Sequence, residues 1–317
     1  MRRLFLSIAL LLGLLWIGDF ALGSALARLF HDSPGQNADW LGRAFAYRAP
    51  IVVCGSSRVE HHYMVDSLET ELGVRTWNLG QPKSWGALYQ YGAASMVLRH
   101  YTPRLWIMEV EAGTYTYPER MDHLVSFVPY VNEEPVAAEL LELRSPWERV
   151  KRWSRIYPYN SLLIGLLTPY VKRPHLRHGF VPLTGSIAED PRHGVTDDPP
   201  TIMGHPAPDT LKMRYLEKTL ALLRSRGVEV LAIRSPYWPP TPVHRREDRI
   251  AERNLREVFG KLGVHYMDFS IPHNPVFADS SLFNDAAHLN ERGALVFTRA
   301  LADSIRALPD APRILGH

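Results

Sequence analysis

Residues 51–62 read IVVCGSSRVEHH, and this stretch decides the fold. The run APIVVCG, from Ala49 to Gly55, is short, rich in β-branched residues and closed by glycine, which is typical of a buried strand. Two serines follow it directly. Ser56 and Ser57 either belong to a tight turn that requires small polar residues, or one of them is a nucleophile held at the tip of the strand.

Similar apolar runs recur along the chain and alternate with helical patterns. Further strands are predicted at 74–80, 104–112, 228–237 and 264–270. Helices are predicted at 84–101, 210–226, 247–262 and 291–308, with Asp209 and Asn290 as N-caps of the second and the last. This alternation predicts an α/β three-layer sandwich, flavodoxin-like, whose central parallel sheet of about five strands is covered on both faces.

In such a sheet, ligand sites form beyond the carboxyl ends of the strands. Three polar signals stand at predicted strand ends. They are Gly55-Ser56-Ser57, Asn78-Leu79-Gly80 and the loop after residue 270. The topology therefore predicts that all three meet at one rim of the sheet.

Residues 118–207 interrupt the alternation and are rich in Pro, Tyr, Trp and Arg. Their first half has a helical pattern and their second half is typical of irregular loop. We interpret them as an insertion, largely helical and loop, that caps the site. The apolar patch at 162–167 is interpreted as a local core, with membrane contact as the alternative.

The N-terminus predicts a membrane segment. Two arginines precede the apolar residues 4–18, and Asp19 follows. The positive flank predicts a cytoplasmic N-terminus with the remaining chain outside, on the periplasmic side if the cell has two membranes. We expect residues 1–27 to be a retained anchor and 28–317 an α/β domain. The alternative is a signal peptide cleaved at the ALA of residues 25–27, which would make the protein secreted.

Composition sets broad limits on function. The chain has 317 residues, 46% hydrophobic and 22% charged, and a net charge of +3. No basic stripe interleaved with aromatic residues and no zinc-finger spacing is present, so we expect no nucleic-acid partner. The single cysteine, Cys54, lies inside an apolar run and is predicted to be a small buried hydrophobic residue.

Several charged residues near the serines have simpler interpretations than catalysis. The adjacent His61 and His62 point in divergent directions, so we expect a helix surface with one hydrogen bond at the rim, and no metal site. Arg58 is expected to pair with a carboxylate at the edge of the core. Glu109 and Glu111 resemble the paired acids of a glycosidase only in spacing. No cofactor is predicted.

The stretch FNDAAHLNERGALVF, residues 283–297, carries the second decisive motif. Asp285 and His288 stand three residues apart before a helix. This spacing allows the carboxylate to hold the imidazole tautomer whose other nitrogen accepts a proton. A serine hydroxyl needs such a base to act as a nucleophile.

Together these motifs resemble the SGNH/GDSL hydrolase superfamily, over residues 48–308 without the insertion. The resemblance implies that Ser57 is the nucleophile, that Ser56 fills the aspartate position of the G-D-S motif, and that Asp285 and His288 complete the triad. It also implies an oxyanion hole formed by the backbone N–H groups of Ser57 and Gly80. These remain expectations from the resemblance.

One motif of that family is absent. Where the family has G-x-N-D, this chain has EVEAGTYTY after the third strand. If Gly113 is aligned with the family glycine, Tyr115 stands in place of the asparagine that donates to the oxyanion. Another donor, such as a backbone N–H, Thr114 or a residue of the insertion, would have to replace it.

The GSS variant behind a membrane segment is similar to D-alanyl transfer proteins and alginate acetylation proteins of the cell envelope. That similarity implies acyl transfer or ester hydrolysis on a polysaccharide or other acyl ester, with a multi-span membrane acyltransferase as a possible partner. The competing hypothesis is a non-catalytic envelope protein that uses the same fold to bind glycan or to dock such an acyltransferase.

Overall fold

The structure is a computed structural model that divides the chain into two compact units. Unit 1 comprises Met1–Gly42 and Leu124–His175, and unit 2 comprises Arg43–His123 and Leu176–His317. The structure describes all residues except 34–37, 83–85, 112–114, 116–123, 173–177, 195–208, 239–241, 272 and 317. At residues 168–172, 242–248 and 251 it describes the backbone but not the side chains.

Unit 2 contains a parallel sheet of five strands. The strands are β1 (Ile51–Gly55), β2 (Thr76–Gly80), β3 (Leu105–Glu109), β4 (Glu229–Arg234) and β5 (His265–Asp268). Their order in the sheet is β2-β1-β3-β4-β5, and every neighbouring pair is parallel. This is the flavodoxin-like order of a doubly wound fold, so the predicted fold class is confirmed.

Twelve α-helices are present in the described residues. They are α1 (Arg2–Asp32), α2 (Trp40–Tyr47), α3 (Ser57–His62), α4 (Val65–Leu72), α5 (Ala87–His100), α6 (Pro135–Arg144), α7 (Trp147–Lys151), α8 (Leu163–Lys172), α9 (Thr210–Ser225), α10 (Pro242–Lys261), α11 (Glu291–Arg306) and α12 (Ala311–Leu315).

Both faces of the sheet are covered by helices. Alternate strand residues such as Ile51 and Val53 pack in one core with side chains of α3, α4 and α11. Helix α11 contributes Phe297, Leu301 and Ile305, which recur every four residues and so share one face. Helices α5 and α9 pack together and against β1 and β4, and α10 packs against β5.

The predicted caps are confirmed. Asp209 accepts from the Lys212 N–H at 3.0 Å, and Asn290 accepts from the Gly293 N–H at 3.0 Å. Helix α10 begins at Pro242, five residues before the predicted start at 247. The helices that no periodic pattern predicted, α2, α4 and α12, span eight residues or fewer, too short to show a clear period.

Unit 1 is built on helix α1, which has two different halves. Leu4 through Leu22 are mostly exposed, whereas Gly23, Leu26 and Phe30 are buried. The Phe30 ring packs against Tyr130 and Tyr159, with ring centroids 5.5 and 5.7 Å away. Helix α1 therefore continues through the predicted boundary at residue 27, and its second half belongs to a folded unit.

The predicted insertion is shared between the units. Its first half is helical as expected and forms α6, α7 and α8 in unit 1. In the apolar patch at 162–167, Leu166 is buried as predicted for a local core, but Ile164 is 83% exposed. The loop-like second half belongs to unit 2, where residues 195–208 lie outside the described part of the chain.

Helix α1 is long and apolar enough to cross a membrane. An 18-residue window of this helix has a mean hydropathy of 2.2, and none of its residues is buried within the protein. A signal sequence near an N-terminus shares these properties, so α1 is a candidate membrane segment by length and composition.

Candidate active site

Ser57 stands at the junction of β1 and α3. Gly55 ends the strand, Ser56 is the N-cap, and Ser57 is the first residue of the helix. The Ser56 hydroxyl accepts from the Arg58 N–H at 3.3 Å and donates to the Glu111 carboxylate. Of the two adjacent serines, Ser56 is thus used to start the helix, and Ser57 directs its hydroxyl elsewhere.

The structure brings Ser57, His288 and Asp285 together. Ser57 Oγ lies 2.8 Å from His288 Nε2, and His288 Nδ1 lies 3.0 Å from each carboxylate oxygen of Asp285. A carboxylate only accepts, so the imidazole proton belongs on Nδ1 and Nε2 is free to accept from Ser57. The three groups form the hydroxyl–base–carboxylate chain that activates a serine.

The loop that carries His288 is held by its own backbone. Phe283 and Leu289 form an antiparallel bridge, and Asp285 Oδ1 accepts from the N–H groups of Ala287 and His288 at 2.8 and 2.9 Å. Burial alone would raise the pKa of Asp285, but these hydrogen bonds and the contact with His288 hold that pKa below its ordinary value. Asp285 is therefore a carboxylate ready to orient the imidazole.

His62 holds this loop in place through a buried hydrogen bond. Its Nε2 accepts from the Leu289 N–H at 3.0 Å, and its Nδ1 donates to Ser235 Oγ at 2.8 Å. The side chain is fully buried, and burial holds its pKa well below the ordinary value, so the ring is neutral. The interpretation of His62 as a helix surface is wrong, because α11 and the β4–α10 connection cover it.

A buried network joins the ends of three strands beneath the site. Glu109 at the end of β3 accepts from the Ser235 N–H and hydroxyl at 3.2 and 2.7 Å and from the Tyr63 hydroxyl. Arg58 Nη2 donates to Ser235 Oγ at 3.0 Å and lies 3.4 Å from Glu109 Oε1. The predicted pairing of Arg58 with a core-edge carboxylate is confirmed.

This network accounts for the charges next to the serines. Burial alone would lower the pKa of Arg58, but Glu109 and Glu111 raise it, so the guanidinium stays charged. Glu109 is completely buried among its donors, and Glu111 accepts from Ser56. The two acids are thus engaged in different contacts, which does not favour the glycosidase interpretation.

Gly80 lies beside the site, but its N–H is engaged. It donates to Asn78 Oδ1 at 2.8 Å, while Asn78 Nδ2 donates to the carbonyls of Val59 and Tyr63 at 2.6 and 3.1 Å. A Cβ on Gly80 would lie 2.2 Å from Glu60 N, so glycine is required here by the close approach of α3. In this geometry the Gly80 N–H does not point to an oxyanion, unlike the expectation from the resemblance.

His61 and Glu60 form the outer wall next to His288. The His61 and His288 rings lie edge to face with centroids 5.3 Å apart. His61 Nδ1 donates to the Val181 carbonyl at 2.9 Å, and its Nε2 lies 3.3 Å from Glu60 Oε2. Burial lowers the pKa of His61 and raises that of Glu60 to about 7, so both groups favour their neutral forms.

The second half of the predicted insertion fastens the outer edge of the site. The Val181 N–H donates to the Glu60 carbonyl at 2.9 Å, and Asn284 Nδ2 and Asn290 Nδ2 donate to the carbonyls of Thr184 and Gly185. This segment therefore holds both α3 and the loop of His288.

Tyr115, which would replace the family asparagine, is 1% exposed and packs against Phe259 of α10 at 5.9 Å between ring centroids. Gly113 and Thr114 lie outside the described residues. Cys54 is buried as predicted, and burial raises the pKa of its thiol. No thiolate chemistry is expected there.

Within the described residues, one group of side chains has its donor atoms close enough to hold a metal ion: Glu252, Asp268 and His273, within 4.8 Å of one another. Two arginines already neutralise its carboxylates. Arg234 lies 3.2 Å from Asp268, and Arg256 lies 3.2 Å from Glu252. The ion pairs supply the positive charge that a metal would bring.

No known family model matches the chain, and no curated protein matches it in sequence.

Proposed function

We propose that this protein is a serine-dependent acyl-transfer enzyme, an O-acyltransferase or esterase that works through an acyl-enzyme on Ser57. One observation carries the proposal, the continuous chain of short contacts from Ser57 through His288 to Asp285. Hydroxyl, imidazole and carboxylate in this order at a strand tip supply a nucleophile, its base and the group that orients the base.

The chemistry proceeds in two balanced steps. Ser57 Oγ attacks the carbonyl carbon of an ester, His288 Nε2 takes the hydroxyl proton and returns it to the departing alcohol. The acyl group is then bound to Ser57 as an ester. An acceptor hydroxyl attacks that ester, giving its proton to His288, and Ser57 leaves as its hydroxyl. Water as acceptor completes a hydrolysis, and a sugar hydroxyl completes a transfer.

Among the described residues, the backbone N–H of Ser57 is the group that we propose as the oxyanion donor. As the first residue of α3, Ser57 has a backbone N–H without an acceptor inside the helix, and this group is adjacent to the attacked carbonyl. The Gly80 N–H becomes a second donor only if Asn78 Oδ1 releases it. A missing donor lowers the rate by about 10²- to 10³-fold, so slow turnover of simple esters is expected.

Helix α1 supports the proposed location, and the family resemblance supports the proposed substrate class. Helix α1 supports membrane association, and its second half is part of unit 1. Cleavage after residue 27 would remove Asp19, whose carboxylate accepts from Ser154 and from the Arg155 N–H. We therefore favour a retained anchor with both units outside the cytoplasm. A polysaccharide acceptor, and a multi-span acyltransferase as donor partner, rest on the resemblance to envelope acylation proteins.

Labelling with a fluorophosphonate tests the proposal. The reagent phosphonylates a serine only where a base activates it, so the full-length protein is expected to be labelled at Ser57. Peptide mapping after digestion identifies the residue. A chain that stays unlabelled while its fold is intact would contradict the enzymatic proposal.

A second candidate function has one observation in its favour. Because the Gly80 N–H donates to Asn78 Oδ1, the residues that the structure describes offer fewer oxyanion donors than a hydrolase of the family that the sequence resembles. A protein that binds glycan or docks an acyltransferase would need no such donors. This function would be favoured if the protein is not labelled by the fluorophosphonate, binds glycan, and loses that binding when a residue at the strand-end rim of the sheet is replaced.

A further inference from the structure

The turn between α6 and α8 in unit 1 exposes apolar side chains close to the apolar half of α1. Residues 142–155 comprise the end of α6, all of α7 and the four residues after it, and are here called the interfacial turn. They contain four such side chains, spaced three or four residues apart. They are Leu143, Trp147, Val150 and Trp153, exposed by 53%, 69%, 47% and 81%. Large aromatic residues this bare are unusual on a surface that faces only water.

The end of the interfacial turn is bonded to α1 at a defined level. Asp19 accepts from Ser154 Oγ at 2.5 Å and from the N–H groups of Arg155 and Ile156 at 2.7 and 3.4 Å. A Cβ on Gly23 would lie 2.5 Å from Arg155, so the two backbones are in direct contact. Trp153 is therefore held beside the part of α1 where its exposed apolar face ends.

That level corresponds to the surface of a bilayer. The exposed hydrophobic side chains of α1 extend from Leu4 to Leu22, roughly 28 Å at 1.5 Å per residue and close to the hydrocarbon thickness of about 30 Å, with Asp19 as the polar residue near the outer end. The Arg155 guanidinium lies 4.6 Å from the centroid of the Phe20 ring near its outer end. Tryptophan and arginine at such an end are typical of the membrane–water boundary.

The charge of the interfacial turn favours anionic headgroups. It contains five basic residues, Arg144, Arg149, Lys151, Arg152 and Arg155, and two acidic ones, Glu142 and Glu148. Glu142 pairs with Arg149 and Arg152 at 2.9 and 3.1 Å, and Glu148 pairs with Lys151 at 2.6 Å, so the turn keeps a net charge of +3. The side chain of Arg149 is nevertheless 79% exposed, so its charge is presented to the outside.

We infer that the interfacial turn lies in the headgroup layer of the membrane that α1 enters, with Trp147 and Trp153 at the lipid boundary and the basic side chains on anionic lipid. Unit 1 would then contact the bilayer at two places, one crossing it and one lying on it. This inference concerns membrane contact alone and holds whether or not Ser57 is catalytic.

Site-directed spin labelling measures this contact. Cys54 is buried, so a nitroxide can be placed selectively at Val150→Cys in the full-length protein. The protein is reconstituted into vesicles of phosphatidylcholine with one quarter phosphatidylglycerol and no other protein. Val125→Cys, 60% exposed on another part of unit 1, is the matched control, and Leu12→Cys in α1 reports membrane insertion.

The ratio of collisions with oxygen to collisions with a water-soluble nickel chelate is expected to be several-fold higher at residue 150 than at 125, and highest at residue 12. Pure phosphatidylcholine should lower the ratio at 150. A water-like ratio at 150 with a lipid-like ratio at 12 would overturn the inference, because the turn would then lie in water while α1 crosses the bilayer. An unchanged ratio without anionic lipid would overturn the role of the basic residues.

Discussion

The two units place functional groups in different ways. In unit 2, Ser57 and His288 are 231 residues apart, yet each lies next to a regular element, β1 or α11. In unit 1, Asp19 bonds Ser154 across 135 residues with no sheet to relate the two segments. In a parallel sheet the carboxyl ends of all strands lie at one edge, so residues that follow predicted strands can be expected to meet. Helices pack through individual side chains, and sequence patterns do not predict which of these will meet.

The largest expected effect is the loss of activity when Ser57, in unit 2, is replaced. Ser57→Ala removes the nucleophile, so turnover of a small acetyl ester is expected to fall by about 10⁴-fold or more, and fluorophosphonate labelling to disappear. Ser56→Ala is the matched control and should retain activity, since Ser56 contacts Glu111 instead of His288. The reverse result, with Ser56→Ala inactive, would assign the nucleophile to the neighbouring residue.

The buried ion pair gives the next largest effect. Arg58→Ala leaves Glu109 buried without its cation, and we expect a loss of about 3–5 kcal/mol in the free energy of unfolding. Arg299→Ala removes an exposed arginine 3.7 Å from Glu71 and should change stability by about 1 kcal/mol or less. Urea unfolding followed by circular dichroism compares the two. Equal losses would show that the network under the site is not what stabilises this end of the sheet.

Glu60 adds a pH dependence to unit 2. Its pKa is raised by burial from 4.5 to about 7, so the folded state binds its proton more tightly than the unfolded state. The stability contributed by this group is complete below about pH 4.5 and is lost as the pH rises towards 7, by about 3 kcal/mol in all.

Glu60→Gln has no such proton to lose. The difference in unfolding free energy between wild type and variant, measured at intervals from pH 4.5 to 7.5, should therefore change in favour of the variant as the pH rises. Other titrating groups, His61 and His62 among them, are present in both proteins. A flat difference would mean that the Glu60 carboxyl keeps its ordinary pKa in the folded protein.

The smallest expected effect concerns the local stability of unit 1, where Asp19 bonds the turn at residues 154–156. Asp19→Ala removes the acceptor for Ser154, Arg155 and Ile156, and the opening free energy of that turn should fall by about 1–3 kcal/mol. Hydrogen exchange of the amides at 155 and 156 in detergent-solubilised protein measures it. Ser24→Ala, which removes a bond to Phe20 within α1, should leave that exchange unchanged.

The sequence predicted most elements of unit 2, whereas in unit 1 it predicted the apolar N-terminal segment and helices in the insertion but not how they pack. The strand at Ile51–Gly55, the caps Asp209 and Asn290 and the motif at Asp285 and His288 each have a local signal in composition or spacing. His62 has none, because its role depends on Ser235 and Leu289 reaching it from other strands and loops.

The engagement of Gly80 also escaped prediction. The motif N-L-G is compatible both with a free N–H and with one held by Asn78, and only the approach of α3 decides between them. In unit 1, the aromatic residues Phe30, Tyr130 and Tyr159 come from three separate segments with no common period. Their packing is a property of tertiary structure, which sequence periodicity does not record.

The bond between Asp19 and the turn at Ser154 also sets an order of events during synthesis. Its two sides leave the ribosome 135 residues apart, which at about 5–20 residues per second is a delay of roughly 7–27 s. During that interval β1 through β3 are made, while Gly23 lacks its neighbour Arg155 and Phe30 lacks its neighbour Tyr159. Docking of the second half of α1 therefore waits until the middle of the chain has been made, and a nascent chain arrested before residue 154 cannot close unit 1, whereas unit 2 still needs β4, β5 and α11.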